Sequence, residues 1–285
     1  MNITSILINE LNKMYDSEFY TSRNGYCKYY DECKKGINAI NKFYSDRVKI
    51  GEKYGINNDF PKILFVGLEG VHSSDICNQK INEIDINSDG SKPSLSASNN
   101  HYRGVRYVNS YILSGLKNNT KPKDAKIETL NAPEYIDYLK HICLSNIYKC
   151  AFSEKKSGLP HSAGMKCHCE EILLREIEIL KPDLLVIQIV SNLPNNFWKE
   201  MQKRFGEDEV KLIKSSDRKD NTSVYKMKYS DGKTFYCLWT YHGNGRPCKN
   251  GKGGVFVNNK KYITVKLNPV LDKTIELLRD EIWFS

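Results

Sequence analysis

Four short segments rich in apolar residues, spread between residues 62 and 241, constrain the fold of this chain more than any other feature. Continuous apolar runs of this kind are typical of strands buried on both faces of a parallel sheet. The four segments are Lys62–Val66, Ile142–Tyr148, Asp183–Ile187 and Phe235–Tyr241. A helix pattern at residues 170–180 leads within two residues into the third segment, as in half of a βαβ unit. The sequence therefore predicts an α/β fold: a three-layer α/β/α sandwich with a central, mainly parallel four-stranded sheet.

The segment before the first predicted strand is expected to be an N-terminal helical extension, residues 1–58. Residues 59–285 are expected to form one α/β domain that acts as a single structural unit, which a chain of 285 residues is long enough to support. Within this domain the apolar spacing predicts further helices at 105–116 and 269–281. Residues 81–100 are rich in Asp, Ser, Asn and Gly and predict a long loop.

Charge and cysteine content favour a polyanionic partner and a reducing compartment. Lys and Arg together number 43 against 34 for Asp and Glu, which gives a formal net charge of +9 and fits a polyanionic partner such as DNA better than a neutral one. The first 14 residues lack the layout of a signal peptide, and no apolar run is long enough to span a bilayer. We therefore expect a cytoplasmic monomer with no membrane partner, whose nine cysteines are thiols, metal ligands or catalytic groups.

Polar residues and glycines follow three of the predicted strands at the point where a doubly wound sheet binds its ligand, just outside the carboxyl ends of the strands. Gly67-Leu68-Glu69-Gly70 follows the first strand, Asn146–Cys150 closes the second, and Tyr241–Arg246 closes the fourth. The glycines on either side of Glu69 allow backbone to approach a ligand closely. A carboxylate between them has the chemistry to orient water or to stabilise a developing cation.

These three loops, in this order, resemble those of the uracil-DNA glycosylase superfamily, most nearly its iron–sulfur-containing family 4 enzymes. The closest part is Asn146-Ile147-Tyr148-Lys149-Cys150, followed by Cys169, an amphipathic helix and Lys181-Pro182. The resemblance extends from Cys27 to about Arg246. It implies a DNA glycosylase, an enzyme that hydrolyses the N-glycosidic bond of a flipped-out uracil or modified base and leaves an abasic site.

The resemblance also implies two catalytic residues. Glu69 takes the place of the carboxylate that positions the attacking water, although family 4 enzymes usually carry their acidic residue directly after the first glycine, where this chain has Leu68. His242 matches the histidine that hydrogen-bonds the departing base. A carboxylate that caps the next helix and a structural histidine are the corresponding non-catalytic interpretations.

Base binding is implied for four residues and DNA binding for two. The base-binding residues are Gly67, Leu68, Tyr102 and Asn146, and the DNA-binding residues are Arg246 and Lys249. Tyr102 resembles the aromatic residue that stacks on the extruded base, and Asn146 the asparagine that reads the base edge. An aromatic residue that only packs near a helix start is the alternative for Tyr102. In the loop after His242, glycine replaces the proline usual in the family.

Four cysteines are the implied ligands of a 4Fe-4S cluster. They are Cys27, Cys33, Cys150 and Cys169, and Cys169 rather than Cys167 is chosen because its distance to Pro182 matches the helix of the family. The C-x5-C spacing of the first two departs from the usual C-x2-C pair. Zinc and buried thiols without a metal remain the alternatives.

Other functions also remain open at this stage. The chain could be a catalytically inactive nucleic-acid-binding protein of the same fold, or a glycosylase for a bulky modified base of viral DNA. A zinc-dependent or thiol hydrolase that uses Cys150 is a further possibility. The preferred base, the preference for single or double strands and the choice between repair and antiviral roles do not follow from these residues.

Overall fold

The computed structural model describes thirteen parts of the chain. They are residues 3–19, 28–29, 32, 43–45, 47–56, 60–69, 100–117, 120–152, 163–189, 195–206, 211–215, 222–241 and 262–280. The predicted long loop at 81–100 falls outside these parts, apart from residue 100.

Helices and strands alternate along most of the described chain. The helices are α1 (Ile3–Met14), α2 (Asn100–Lys117), α3 (Ile127–Leu130), α4 (Pro133–Asp137), α5 (Ala163–Leu180), α6 (Asn195–Arg204) and α7 (Asn268–Leu278), with π-helical turns at Tyr15–Phe19 and Tyr262–Leu267 and a 3₁₀ turn at Tyr138–His141. The strands are β1 (Phe43–Ser45), β2 (Lys49–Ile50), β3 (Ile63–Glu69), β4 (Ile142–Tyr148), β5 (Cys150–Phe152), β6 (Leu184–Ile189), β7 (Lys211–Ser215), β8 (Ser223–Lys228) and β9 (Thr234–Tyr241). No helix among these described segments has the length and hydropathy to cross a membrane.

The main sheet is mixed and has seven strands in the order β2-β4-β3-β6-β9-β8-β7. The four strands in its middle, β4, β3, β6 and β9, pair in parallel. The strands that flank these four, β2 on one side and β8 and β7 on the other, pair antiparallel. The mixed α/β class is confirmed, but the predicted sheet of four strands is too small. The additional strands escaped prediction because β2 has two residues and β7 and β8 carry lysines among their apolar residues.

The first face of the sheet packs against α1, α5 and α6. Alternate strand residues point to this face, among them Leu64, Val66, Leu185 and Ile187, and all are buried. The helices contribute Leu11, Ile172, Leu173, Ile177, Phe197 and Met201 to the same apolar cluster. Counted from Ile172, the buried apolar residues of α5 include positions i, i+1, i+5 and i+8, which explains why one side of this helix lies on the sheet.

The second face of the sheet packs against α2 and α7. The intervening strand residues Ile63, Phe65, Leu184 and Val186 are buried here. Helix residues Val105, Val108, Ile112, Val270, Leu271 and Ile275 complete this cluster. Strands buried on both faces account for the continuous apolar runs in the sequence.

The predicted N-terminal extension is helical in α1 and also supplies strands β1 and β2. Strand β2 extends the main sheet by pairing with β4, while β1 pairs with β5 in a separate two-stranded ribbon. Buried side chains of this segment, including Tyr15, Val48 and Tyr54, belong to the core of the first face. Residues 1–58 are therefore part of the same packed body in their described portions.

Candidate functional site

The row of residues where the apolar core ends marks the candidate site. On the second face, each of the four parallel strands changes from an apolar residue to glycine or a polar residue at the same level of the sheet. The last apolar residues on this face are Leu144, Phe65, Val186 and Leu238. Two positions later in each strand come the residues of the row, which are Asn146 (β4), Gly67 (β3), Gln188 (β6) and Thr240 (β9). Because all four strands are parallel, this row lies near their carboxyl ends.

Strand pairing fixes the neighbours within the row. Gly67 pairs with Asn146, and Gln188 pairs with Thr240. Gln188 follows Ile187 as Gly67 follows Val66, and those two preceding residues form the last pair recorded between β6 and β3. Asn146 and Gln188 are therefore two strands apart, about 9–10 Å between their Cα atoms. Only glycine separates them, so no side chain rises from the sheet between the two carboxamides.

The connections after neighbouring parallel strands lead to opposite faces of the sheet at this row. The segments after β4 and β6 lead to α5 and α6 on the first face, whereas those after β3 and β9 lead to α2 and α7 on the second face. Neighbouring strands therefore send the chain to opposite sides. In parallel sheets such a reversal opens a crevice outside the carboxyl ends, where ligands bind.

The described members of the row differ in exposure and in hydrogen bonding. Asn146 is half-buried, whereas Gln188 and Thr240 are 2% and 0% exposed. Thr240 Oγ1 lies 3.0 Å from the hydroxyl of Tyr262, which also lies 2.7 Å from Thr222 Oγ1. The Gln188 Nε2 group makes no hydrogen bond in the part of the chain that the structure describes. Among the described residues, one carboxamide donor of the row is thus left without a hydrogen-bond partner.

Tyr262 holds the end of β9, the strand that leads into His242. Besides its two threonine contacts, the Tyr262 hydroxyl accepts a hydrogen bond of 3.4 Å from the backbone N–H of Tyr241, and the two aromatic rings meet edge to face. Burial raises the pKa of Tyr262 above its ordinary value, so the phenol stays neutral and keeps its proton for hydrogen bonding. Tyr262 therefore holds Tyr241, the residue before His242, through both a backbone hydrogen bond and a ring contact.

A buried ion pair lies behind Asn146, on the first face of the sheet. Lys149 Nζ lies 2.6 Å from Glu176 Oε2, and the two side chains are 2% and 0% exposed. Ser145 donates a 2.5 Å hydrogen bond to the same carboxylate oxygen, and Tyr15 donates to the other oxygen. The Tyr15 hydroxyl in turn accepts from the backbone N–H of Val48 at 3.0 Å. This network joins the N-terminal segment, the end of β4 and helix α5.

Two segments that carry predicted cluster cysteines meet through an aromatic stack. The rings of Tyr29 and His168 are parallel, with centroids 3.5 Å apart and an angle of 4° between their planes. His168 Nε2 also lies 3.1 Å from Glu32 Oε2. Tyr29 and Glu32 come between Cys27 and Cys33 in the sequence, and His168 comes between Cys167 and Cys169. Described residues of the two cysteine-bearing stretches are therefore in contact.

Cys169 differs from its prediction in one respect. Helix α5 begins at Ala163, so Cys169 is its seventh residue and does not open it. The start escaped prediction because Gly164 and the polar residues that follow give no apolar periodicity. The Cys169 side chain is 2% exposed and belongs to the core of the first face. Among the residues that the structure describes, no group of three or more metal-ligating side chains occurs.

The remaining predicted residues divide into those that lie at the carboxyl edge and those outside the described chain. Gly67, Leu68 and Glu69 are the last residues of β3, so the predicted loop after this strand begins only after Glu69, whose backbone pairs with Tyr148. Tyr102 lies in the first turn of α2, is half-buried and packs against the core of the second face. Cys150 is the first residue of β5 and pairs with Ser45. The predicted residues outside the described parts are Cys27, Cys33, His242, Arg246 and Lys249.

Sequence reasoning missed four residues of this site. Gln188 is the one polar residue in the run Leu184–Val190, and this interruption is a signal that could have revealed it. Glu176 interrupts the apolar face of α5 in the same way. Lys149 and Tyr262 carry no such signal, since lysine and tyrosine are common at strand ends and helix starts.

Comparison with known proteins adds no relative. No protein-family model matches this chain. No curated protein is similar enough to it to count as a relative. Function is therefore argued from the residues of the site.

Proposed function

We propose that this protein is a DNA glycosylase, which hydrolyses the N-glycosidic bond of a flipped-out uracil or modified base in DNA and leaves an abasic site. The observation that carries the proposal is the pairing of Asn146 with Gly67 in the polar row at the carboxyl edge of the parallel strands. This pairing unites two of the three loops that resemble the uracil-DNA glycosylase superfamily. A carboxamide beside a residue without a side chain suits the recognition of a flat heterocycle.

The base leaves the duplex before the reaction, because its glycosidic bond is inaccessible inside the stack. The target nucleotide rotates into the crevice, where Tyr102 stacks on the ring and Asn146 hydrogen-bonds its edge. Stacking on an aromatic ring contributes about 1–3 kcal/mol per base and tolerates different bases. The half-buried positions of Tyr102 and Asn146 support these roles, because both are accessible while being held by the core.

Hydrolysis replaces the bond between the sugar and the base with a bond to water. Glu69 orients the water and stabilises the oxocarbenium-like sugar as the glycosidic electron pair departs with the base. His242 donates a hydrogen bond to the base carbonyl, where negative charge grows in the transition state. The backbone of Glu69 lies at the carboxyl edge of β3, and β9 ends one residue before His242, which supports a common site for the two.

DNA is the partner that the charge of the chain favours. A net charge of +9 promotes binding to the phosphate backbone and makes that binding sensitive to salt. Arg246 and Lys249, in the glycine- and lysine-rich segment after His242, are the proposed phosphate contacts. We propose that the protein acts as a monomer.

We further propose that Cys27, Cys33, Cys150 and Cys169 hold a 4Fe-4S cluster. Tyr29 and Glu32, which lie between Cys27 and Cys33 in the sequence, contact His168, the residue before Cys169, and these contacts support the proposal. The Lys149 side chain, next to Cys150, also contacts α5 through Glu176. When bound, the cluster supplies a covalent crosslink between these segments, and no redox step is required.

Strand cleavage at abasic sites tests the proposed activity. Oligonucleotides that carry uracil or modified cytosines are incubated with the protein and treated with alkali. Wild-type protein is expected to give a break at the target base, and Glu69→Gln and His242→Ala to give none while binding DNA as before. If DNA binding is observed but no oligonucleotide is cleaved, the protein is a binding module of this fold and the proposal is wrong.

Metal analysis of anaerobically purified protein tests the cluster. Iron and acid-labile sulfide are expected in about equal amounts, with a brown colour that Cys169→Ser reduces. Cys237→Ser is a matched control, because Cys237 is a buried free thiol on β9 and is not one of the proposed ligands. Colourless, iron-free and fully active wild-type protein would contradict the cluster, and stoichiometric zinc would replace it with the alternative metal.

A further inference from the structure

Gln188 presents an unmet hydrogen-bonding requirement at the edge of the core. Its side chain lies on the second face of β6 and is 2% exposed. Its Nε2 atom has no hydrogen-bond partner among the described residues. Buried donors without partners are rare in native proteins because each costs the lost hydration of the group. The run from Leu184 to Val190 is otherwise apolar, so packing alone would favour an aliphatic residue at position 188.

The surroundings of Gln188 indicate what its donor serves. On one side, Thr240 is already engaged by the hydroxyl of Tyr262. On the other side stands the Gly67 position, which has no side chain, and beyond it Asn146. Both carboxamides belong to the same row and the same face of the sheet. Among the residues that the structure describes, no side chain of the sheet stands between them, and a ligand edge would fit there.

We propose that Gln188 is a second base-recognition residue, whose Nε2 donates a hydrogen bond to an acceptor on the ring edge opposite the one that Asn146 reads. The proposal rests on the proposed glycosylase function and adds a specificity to it. The acceptor is a carbonyl oxygen or an unprotonated ring nitrogen. A base that presents an exocyclic amino group at this place would bring two donors together and be rejected.

Substitution of Gln188 separates recognition from folding. Gln188→Met keeps the length of the side chain but removes the donor, whereas Gln188→Glu replaces the donor with an acceptor. Gln202→Met is the matched control, since Gln202 is half-buried on α6, away from the row. Because a ligand hydrogen bond within a buried site discriminates strongly, excision of the preferred base is expected to fall by about tenfold or more in Gln188→Met. Gln202→Met is expected to behave as wild type.

Paired oligonucleotides report the direction of the hydrogen bond. Uracil and cytosine differ by a carbonyl against an amino group on one ring edge, and hypoxanthine and adenine differ in the same way. Wild-type protein is expected to prefer the carbonyl member of at least one pair, and Gln188→Glu to lose that preference. Equal preferences in wild type and Gln188→Glu would overturn the proposal.

Thermal stability distinguishes recognition from a purely structural role. Removal of an unpartnered buried donor is expected to leave the melting temperature of Gln188→Met equal to or above that of wild type. A lower melting temperature together with weaker binding of undamaged DNA would show that Gln188 serves only the fold. Wild-type excision by Gln188→Met would show that its donor contacts only water.

Binding of free bases keeps this inference distinct from the glycosylase activity. If wild-type protein cleaves no oligonucleotide, the proposed function fails, and the melting temperature is then measured with uracil and with hypoxanthine. A rise in wild type that is absent in Gln188→Met would support base recognition by Gln188 even in a protein without catalysis. No rise in wild type with either base would overturn it.

Discussion

At the scale of single residues, the pair formed by Lys149 and Glu176 is the most unusual feature of the core. Both side chains are almost fully buried, and their charges are 2.6 Å apart. Burial of each charge is costly, and the mutual attraction offsets that cost only while both partners and their hydrogen bonds are present. Ser145 and Tyr15 complete the bonds of the carboxylate. The pair therefore fixes the backbone on either side of Asn146.

Removal of one partner is expected to destabilise the protein strongly. Lys149→Met leaves the Glu176 carboxylate buried without its cation, so the free energy of unfolding should fall by about 3–5 kcal/mol. Lys273→Met is the control, because Lys273 and Glu276 form an exposed pair whose loss should cost less than about 1 kcal/mol. Urea unfolding followed by circular dichroism measures both changes. Similar small losses in the two variants would show that the buried pair does not hold the strand end.

Some residues of the site could be predicted from the sequence and others could not, for a physical reason. Gly67 and Asn146 were predicted as site residues because Gly67 follows an apolar run, Asn146 lies near the end of another, and the ends of parallel strands meet at one edge. Gln188 directly follows the predicted third strand, Asp183–Ile187, but no role was predicted for it, because the apolar run resumes at Ile189 and Val190. Lys149 and Glu176 are 27 positions apart. Local pattern carries no information about such a contact, which depends on how α5 lies on the sheet.

At the scale of elements, the end of α5 is determined by Lys181. Its backbone N–H donates to the carbonyl of Ile177 at 2.9 Å, and its φ of 42° lies in the left-handed region. Helices commonly end in this way, but usually with glycine, because a Cβ is disfavoured in that conformation. Pro182 follows and prevents further helix. The sequence predicted this end correctly from Lys181-Pro182, while the start of α5 was seven residues earlier than predicted.

Glycine at this position is expected to stabilise the helix end. Lys181→Gly should raise the free energy of unfolding by about 1 kcal/mol, since the left-handed conformation no longer opposes a side chain. The ion pair of Lys181 with Asp231 is half-exposed and should offset only a small part of this gain. Lys181→Ala is the matched control, because it removes the charge but keeps the Cβ. If the alanine variant gains as much as the glycine variant in urea unfolding, the conformation of Lys181 is not the cause.

The strands of the sheet likewise divide into those that the sequence predicts and those that it does not. The four central strands were predicted because burial on both faces leaves a continuous apolar signal, as in Leu184–Ile189. Strands β7 and β8 lie outside the four parallel strands and pair antiparallel, and polar residues alternate with apolar ones in Ser223–Lys228. Strand β2 has two residues, which is too short for any periodicity. The formation of β2, β7 and β8 thus depends on long-range pairing more than on local composition.

At the scale of the whole molecule, the two-faced core encloses several groups that can lose a proton. Burial raises the pKa of Tyr107 to about 12 and raises the pKa of Cys237 well above its ordinary value near 9. Burial likewise raises the pKa of Tyr54 and Tyr229 above the ordinary tyrosine value of 10. The folded protein therefore keeps protons that the unfolded chain would release.

Alkaline pH is expected to destabilise the protein progressively. The raised pKa values stabilise the fold fully below the ordinary values near 9 and 10, and the contribution is lost as the pH rises above them. Each such group should lower the free energy of unfolding by up to about 1.4 kcal/mol per pH unit. Urea unfolding at about pH 8, 9, 10 and 11 measures the free energy of unfolding against pH. Cys237→Ala should reduce the loss of stability at the lower end of this range. Constant stability to about pH 11 would contradict this account of the core.

The central claim for the whole molecule is that the polar row at the carboxyl edge binds a base for excision. Release of the free base from labelled DNA, measured by mass spectrometry for wild type and for Asn146→Asp, tests this claim most directly. Wild-type protein is expected to release the base, and Asn146→Asp to release it about a hundredfold or more slowly with unchanged affinity for undamaged DNA. Base release by Asn146→Asp at the wild-type rate, or no release by wild-type protein from any DNA, would contradict the claim.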